Sequence, residues 1–381
     1  MIKVQGKEPG SESFALALMG QLQPTRIEWS YVTDRAMIGR FKETTPVFVA
    51  ALNTITPPGH AVSFEGTPII APWMTSFGKP GARMPYICQN NPEDLAARIG
   101  QAVALMTDGV TDTFQFDDWY GNAQMLWYPN ACFCEHCQKE FAAEMGLPIH
   151  YRDYLRGRGF THTAELFEAA KQGKVPLWED YVRFQQQTVT RFFRRLRQGL
   201  DQALGQPVTL SVNGSVLDFG GRIETVLPFV DYFNGETHDF APEALVKMAE
   251  ASRRRERKQV VSFFPPTALE SYDDAAFVRS VNRGIALCYC LGLQPLFPYD
   301  VYAGNDPKTG KLKPRWYGTW EQYQRPYETV REHPEWFDHY DYESAEVREG
   351  ETLVRSVRRD DKSQRLTHRV MTDGTWTTGA G

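Results

Sequence analysis

Short β-rich runs alternate with longer amphipathic stretches along most of the chain. Strand-like runs are read at Arg26–Val32, Val47–Asn53, Pro68–Pro72, Thr113–Asp117, Val208–Asn213, Tyr232–Glu236, Gln259–Phe264 and Leu293–Asp300. Helical periodicity falls between most of them, at Asp34–Thr44, Pro92–Thr107, Trp178–Leu204, Pro242–Lys258, Tyr272–Leu291 and Trp320–His333. Pro-Glu-Asp at 92–94 is good first-turn chemistry, and the 178–204 stretch carries a long apolar stripe. Eight strands alternating with helices predict an α/β fold, a (β/α)8 TIM barrel over residues 1–340. Thr54–Glu65 reads as loop and weakens the link between the second and third strands, so an open doubly wound sheet is the alternative. Residues 147–175 form a Gly-, Arg- and His-rich insertion. Beyond about Tyr340 the rhythm changes to period two. ETLVRSVRR and RLTHRVM predict a small hairpin and TDGTWTTGAG a frayed end, so residues 341–381 are expected to be a C-terminal β appendage.

With 381 residues, 42% of them hydrophobic, the chain can bury a sizeable core. Its net charge of −5 and lack of a long basic run exclude a nucleic-acid partner. No stretch approaches the ~20 apolar residues that span a bilayer. The leading MIKVQGKEPGSESF has no apolar signal core, which predicts a cytoplasmic location. Half of the six cysteines crowd into one hexapeptide, which suits a metal in a reducing compartment better than disulfides.

That hexapeptide is C-x-C-x2-C, Cys132, Cys134 and Cys137. Three thiolates so close suit a tetrahedral zinc ion, and a closed structural site needs a fourth ligand. Cys88 is the candidate, because it follows the predicted third strand at the same barrel mouth. Four thiolates leave no open position, so the zinc is expected to be structural and not catalytic, although His136 lies within the trio. Cys288 and Cys290 sit in the apolar LCYCLGL and read as buried core thiols.

Active sites of barrels sit at the C-terminal ends of the strands. Asp117 and Asp118 end the predicted fourth strand, where Phe114 and Phe116 face the helices and Gln115 and Asp117 the axis. Glu236 ends the sixth in YFNGETH, and Asp300 the eighth. Adjacent Asp117 and Asp118 repel, so one should hold a proton more tightly. Glu28 lies mid-strand with Arg26 on its face, either as a buried ion pair or as a substrate contact. Trp29, Trp73, Trp119, Tyr120 and Tyr299 lie at or just past strand ends, where they can stack on sugar faces. Asn53, Asn213, His238 and Arg315 can bind hydroxyls. Two carboxylates across an aromatic pocket are the equipment of glycoside hydrolysis. The expected activity is a glycosidase, retaining and exo-acting on an oligosaccharide or glycoside. Asp117 is nucleophile or base, Glu236 is general acid, and Asp118 tunes the pair. A non-catalytic sugar-binding barrel and a different hydrolase or lyase, including a zinc hydrolase, are the alternatives.

FQFDDWYGN followed by the cysteine trio resembles the glycoside hydrolase family 42 β-galactosidases and the trimeric barrel hydrolases related to them, over about Cys88–Phe141. The resemblance implies a barrel, a structural zinc held by the trio plus an earlier cysteine that Cys88 matches, and a homo-oligomer, dimer or trimer. The family's catalytic residues do not carry over. Its fourth-strand Asn-Glu falls on Asp118 and Trp119, and its seventh-strand Glu has no counterpart in QVVSFFPP. An acid at strand four and another at strand six look more like the α-galactosidase clan, in which the strand-four Asp is the nucleophile; this is an analogy of fold only.

Overall fold

The computed structural model describes residues 1–2, 11–52, 59–70, 85–117, 120–216, 222–237, 241–255, 259–264, 275–301 and 316–381. Helix α1 (Ser11–Leu22) precedes strand β1 (Arg26–Ser30), α2 (Arg35–Thr44) and β2 (Val47–Leu52). Then come α3 (Pro92–Thr107), β3 (Thr113–Phe116), α4 (Gly121–Met125), α5 (Glu135–Met145), α6 (Tyr151–Arg156), α7 (Thr163–Lys171) and α8 (Trp178–Leu204). The alternation resumes with β4 (Thr209–Ser215), β5 (Tyr232–Thr237), α9 (Pro242–Arg255), β6 (Gln259–Phe263), α10 (Ala275–Cys290) and β7 (Gln294–Pro295).

Strands β1 to β7 form one parallel sheet in chain order, the signature of successive right-handed crossovers. The predicted third strand is not part of it, because β2 pairs directly with β3. Prolines at 68 and 72 explain the difference, since neither can donate to a central ladder. Pro68 and Ile70 instead make isolated antiparallel bridges with Val62 and Pro85, beside His60 with Ile87. The sheet thus curls toward a barrel with seven strands, short of the eight expected. Its two edges meet at Ile2, which bridges in parallel to Ile27 of β1 and to Phe297 beyond β7. The Ile2 backbone bonds Arg26 O and Glu28 N, and Met1 O accepts from Phe297 N. Counting Ile2 as the first position around the axis, β3 occupies the fourth and β5 the sixth.

The main core lies between sheet and helices. Phe114 and Phe116 of β3 point outward into it, and Phe116 packs edge-on against Phe192 and Phe193 of α8 at 5.4 and 5.2 Å. A second core lies beside the sheet. It gathers Ala61, Phe64, Cys88, Cys132, Phe133, Cys137, Phe141, Tyr151, Leu155, Leu166, Tyr181 and Phe184 from the described residues of 59–70 and 85–88, the Cys132-Phe133 step before α5, and α5 to α8. The 147–175 insertion is therefore two short helices roofing this second core. Helix α8 spans both: its first half faces the cysteines and its second half backs β3.

Past β7, Asp300–Val301 (β8) pairs antiparallel with Trp316–Tyr317 (β9), so Asp300 belongs to a separate ribbon and not to an eighth strand of the sheet. Helices α11 (Trp320–Glu332) and α12 (Glu335–Asp338) follow. The C-terminal appendage is larger than a hairpin. Strands β10 (Tyr340–Arg348), β11 (Glu351–Arg358), β12 (Arg365–Met371) and β13 (Trp376–Ala380) form an antiparallel sheet. The end expected to fray is β13. It is reached through Thr372-Asp373-Gly374: Gly374 N donates to Met371 O, Met371 N donates to Thr375 O, Gly374 sits at φ +84°, and Asp373 accepts from Thr375 N and Oγ1, the pattern of a three-residue hairpin loop closed by a left-handed glycine. Tyr342, Val354 and Val370 bury this sheet against the main core.

Candidate functional site

The inner face of the sheet is layered. At the bottom, Arg26 stacks over the Tyr232 ring at 4.8 Å and donates to Gln294 Oε1 at 3.0 Å, beside the apolar cluster of Tyr232, Val260 and Leu296. Glu28 lies just above, fully buried, accepting from Tyr232 OH at 2.7 Å and ion-paired with Arg26, whose Nε is 3.2 Å from Oε2. Burial raises the Glu28 carboxyl above its usual range, opposed by Arg26 and the tyrosine bond. This is the ion-pair arrangement of the two expected for Glu28. The middle layer is polar and paired: Ser211 Oγ donates to Gln115 Oε1, and Ser262 Oγ to Asn234 Oδ1 at 2.6 Å.

The top layer holds both proposed acids. Asp117 directly follows β3, whose register sets Phe116 beside Val212, so Asp117 lies level with Asn213 of β4. Glu236 sits on β5, paired with Ser215. Asn213 Nδ2 donates to Glu236 Oε1 at 2.6 Å. Both carboxylates are half-buried, while Asn213 is 9% exposed. They stand two strands apart, ~10 Å laterally, with Glu236 about two residues, ~7 Å, further along the strand direction.

Trp29 of β1 and Tyr31 just beyond its end complete the layer. Between Ile27 and Ser30 the strand advances three residues while β2 advances two, from Phe48 to Ala50. The extra residue is Trp29, held at φ +49°. A left-handed tryptophan costs roughly 1–3 kcal/mol, and such strain gathers at functional sites. The bulge inverts the alternation beyond it. Tyr31, which strict period two from Glu28 turns toward the helices, faces inward instead. Its hydroxyl accepts from Trp29 Nε1 at 3.0 Å and donates to Asp117 Oδ2. Sequence reasoning missed Tyr31 for this reason. Trp29 itself is buried, edge-on to Phe264 at 6.3 Å.

Other expected contacts divide. Tyr299 is buried in the main core. Tyr120 is half-buried and packs at 5.1 Å against Trp127, which is 42% exposed. Asp118, Asn53, Trp73, Trp119, His238 and Arg315 lie outside the described residues, as does the side chain of Asp300.

The four cysteines do come together. All Sγ atoms of Cys88, Cys132, Cys134 and Cys137 lie within 4.8 Å of one another, and Cys88 is 3.4 Å from both Cys134 and Cys137. A tetrahedron with metal–sulfur bonds of about 2.3 Å has edges of about 3.8 Å, so the set can hold a metal ion. Cys134 is half-buried and the other three are buried. Hydrogen bonds from Cys132, Cys137 and Cys88 pull the Cys134 thiol far down, whereas Cys88 and Cys137 are pushed up. The outer groups are amides. Asn90 Nδ2 lies 3.2 Å from Cys137 Sγ, and Asn122 Nδ2 lies 3.5 Å from it and 2.8 Å from Gln185 Oε1. Asn122 Oδ1 accepts from Gln89 N at 2.9 Å, while Tyr181 OH and Gln185 Nε2 both donate to Cys132 O. Gly121, at φ +34°, lets its backbone pass close to Gln89: a Cβ there would lie 2.4 Å from Gln89 Cδ. Asn122, five residues after Asp117 in sequence, is thus fastened to the cysteine centre.

No family model matches the chain, and no curated protein does. Among solved structures, alpha-L-fucosidase isoenzyme 2 from Paenibacillus thiaminolyticus is similar over 90% of this chain and 50% of that one, at 12% identity and a TM-score of 0.53. The fold is shared with a glycoside hydrolase. This chain spans about half the length of that enzyme. Among the described residues, no helix is long and apolar enough to cross a membrane.

Proposed function

We propose that the chain is a glycoside hydrolase whose catalytic carboxylates are Asp117 and Glu236. The observation that carries this reading is their common setting. Each stands at the C-terminal end of a parallel strand, facing the mouth, half-buried, with a neutral donor fixed on it: Tyr31 for Asp117 and Asn213 for Glu236. Below them the axis is sealed by paired polar groups, so chemistry is confined to the mouth. In the retaining route, Asp117 attacks the anomeric carbon while Glu236 protonates the departing oxygen. Glu236 then takes a proton from water, which releases the sugar from Asp117. The fold shared with a fucosidase supports the reaction class, and α-L-fucosides belong among the first substrates tried.

The cysteine centre is proposed to bind zinc in a structural role. Four thiolates fill a tetrahedron, and the resemblance of Cys88–Phe141 to family 42 implies the same division of labour. When bound, the ion supplies charge neutralisation and cross-linking. The protein's own Asn90 and Asn122 orient the sulfurs.

The test is hydrolysis of 4-nitrophenyl α- and β-glycosides of common pyranoses and furanoses, α-L-fucoside included, with the anomer of the first product read by NMR. Turnover with retained configuration supports the reading. Saturable sugar binding without turnover overturns it in favour of a binding protein.

A further inference from the structure

The bulge in β1 interrupts the β1–β2 register and holds a bulky residue in a left-handed conformation. Its consequence is local. Without the extra residue, the position of Tyr31 would face the helices, because paired residues share a face and Ser30 is paired with outward-facing Ala50. With it, Tyr31 faces the axis on the level of Gln115 and reaches up to Asp117. The side chain of the bulged residue then turns back as well, and Trp29 Nε1 donates to the Tyr31 hydroxyl at 3.0 Å. That hydroxyl has a single proton. Because the indole N–H can only donate, the tyrosine oxygen must accept from it, which leaves its own proton for the carboxylate. Trp29 is in turn braced edge-on against Phe264 beyond β6.

We infer that Tyr31 is a positioning residue for Asp117, its hydroxyl proton directed onto the carboxylate by Trp29 at the β1 bulge. The inference rests on the reading of Asp117 as a catalytic carboxylate. A nucleophile whose Oδ2 is held by a directed donor is fixed in orientation. Orientation of this kind acts on the chemical step more than on substrate binding. A structural tyrosine in a packed wall would show the opposite pattern, loss of stability with little change in turnover per folded molecule.

The experiment compares wild type, Tyr31→Phe, Trp29→Phe and Asp117→Asn on 4-nitrophenyl glycosides. Melting temperature is measured for each. Tyr31→Phe is expected to lower kcat about 10- to 100-fold, with KM within about 3-fold and little change in melting temperature. Trp29→Phe keeps the tyrosine but frees its rotor, and a smaller fall in kcat is expected. If Asp117→Asn is inactive while Tyr31→Phe matches wild type, or changes only KM, the inference is overturned and the catalytic reading stands. If Asp117→Asn keeps wild-type turnover, or wild type hydrolyses none of the glycosides, the catalytic reading fails and takes the inference with it.

Discussion

His368 on β12 tests whether the C-terminal sheet is a folded part of the molecule. It is fully buried, its Nδ1 lies 2.9 Å from Thr378 Oγ1 of β13, and it stacks on Phe337 of α12 at 5.9 Å. Burial lowers its pKa from 6.5 to about 4. In the folded chain the ring stays neutral until about pH 4, whereas in the unfolded chain it takes up a proton near 6.5. The unfolded state thus binds more protons in that window, so stability is lost as pH falls from about 6.5 toward about 4. Between pH 7.5 and 4.5 the loss from this one ring is about 2.5 kcal/mol, from 1.36 kcal/mol per unit of pKa difference. The assay is urea unfolding of wild type and His368→Gln at both pH values, followed by tryptophan fluorescence and near-UV circular dichroism. Every other titrating group is common to the two proteins and cancels in the double difference. Wild type should lose about 2.5 kcal/mol more than the variant over this range. Equal losses would refute the burial of His368 and with it the four-stranded sheet, since a frayed β13 would leave the ring in water.

Three further outcomes follow from the geometry. Chelation of the cysteine centre should lower the melting temperature by on the order of 10 °C or more, because structural zinc sites commonly contribute ~10–16 kcal/mol to the folded state. Turnover of molecules still folded should persist, and an unchanged melting temperature with lost turnover would contradict a structural role. Arg98→Met should cost about 3–5 kcal/mol in a denaturant titration, because Asp94, 3.2 Å away and 1% exposed, is left buried without its cation. Adding Asp94→Asn should restore much of that, and a double variant as unstable as the single one would argue against the pair. Asn213→Ala, removing the 2.6 Å donor to Glu236, should reduce kcat about 10-fold or more, checked against an unchanged melting temperature.

Much of the fold is legible in the sequence because it follows from periodicity. The apolar stripe of α8 runs through Tyr181, Phe184, Phe192, Phe193 and Leu196, and its bounds come out as read, as do those of α3 with its Asn91 cap. The alternation in TFQFD places the two phenylalanines outward and Asp117 at the mouth. Cys88 joins the trio from 44 residues away in sequence because a thiolate tetrahedron needs a fourth corner. What escaped was set by backbone exceptions. Pro68–Pro72 is apolar and short like a strand, but its prolines keep it out of the ladder. The eighth position around the axis comes from Ile2, between β1 and the end of β7, a single residue with no periodic signal. The Trp29 bulge shifts Tyr31 from one face to the other, and nothing in RIEWSYV marks it. The tail reads as frayed because of its glycines and threonines, although Asp373-Gly374 between two alternating runs is a hairpin signal in its own right.

The account turns on two carboxylates at one mouth. The most direct measurement is kcat of wild type, Asp117→Asn and Glu236→Gln on 4-nitrophenyl glycosides, with each variant shown to melt like wild type. Hydrolysis by wild type and a loss of at least about 1,000-fold in each variant is the predicted result. Wild-type turnover in either folded variant would contradict it.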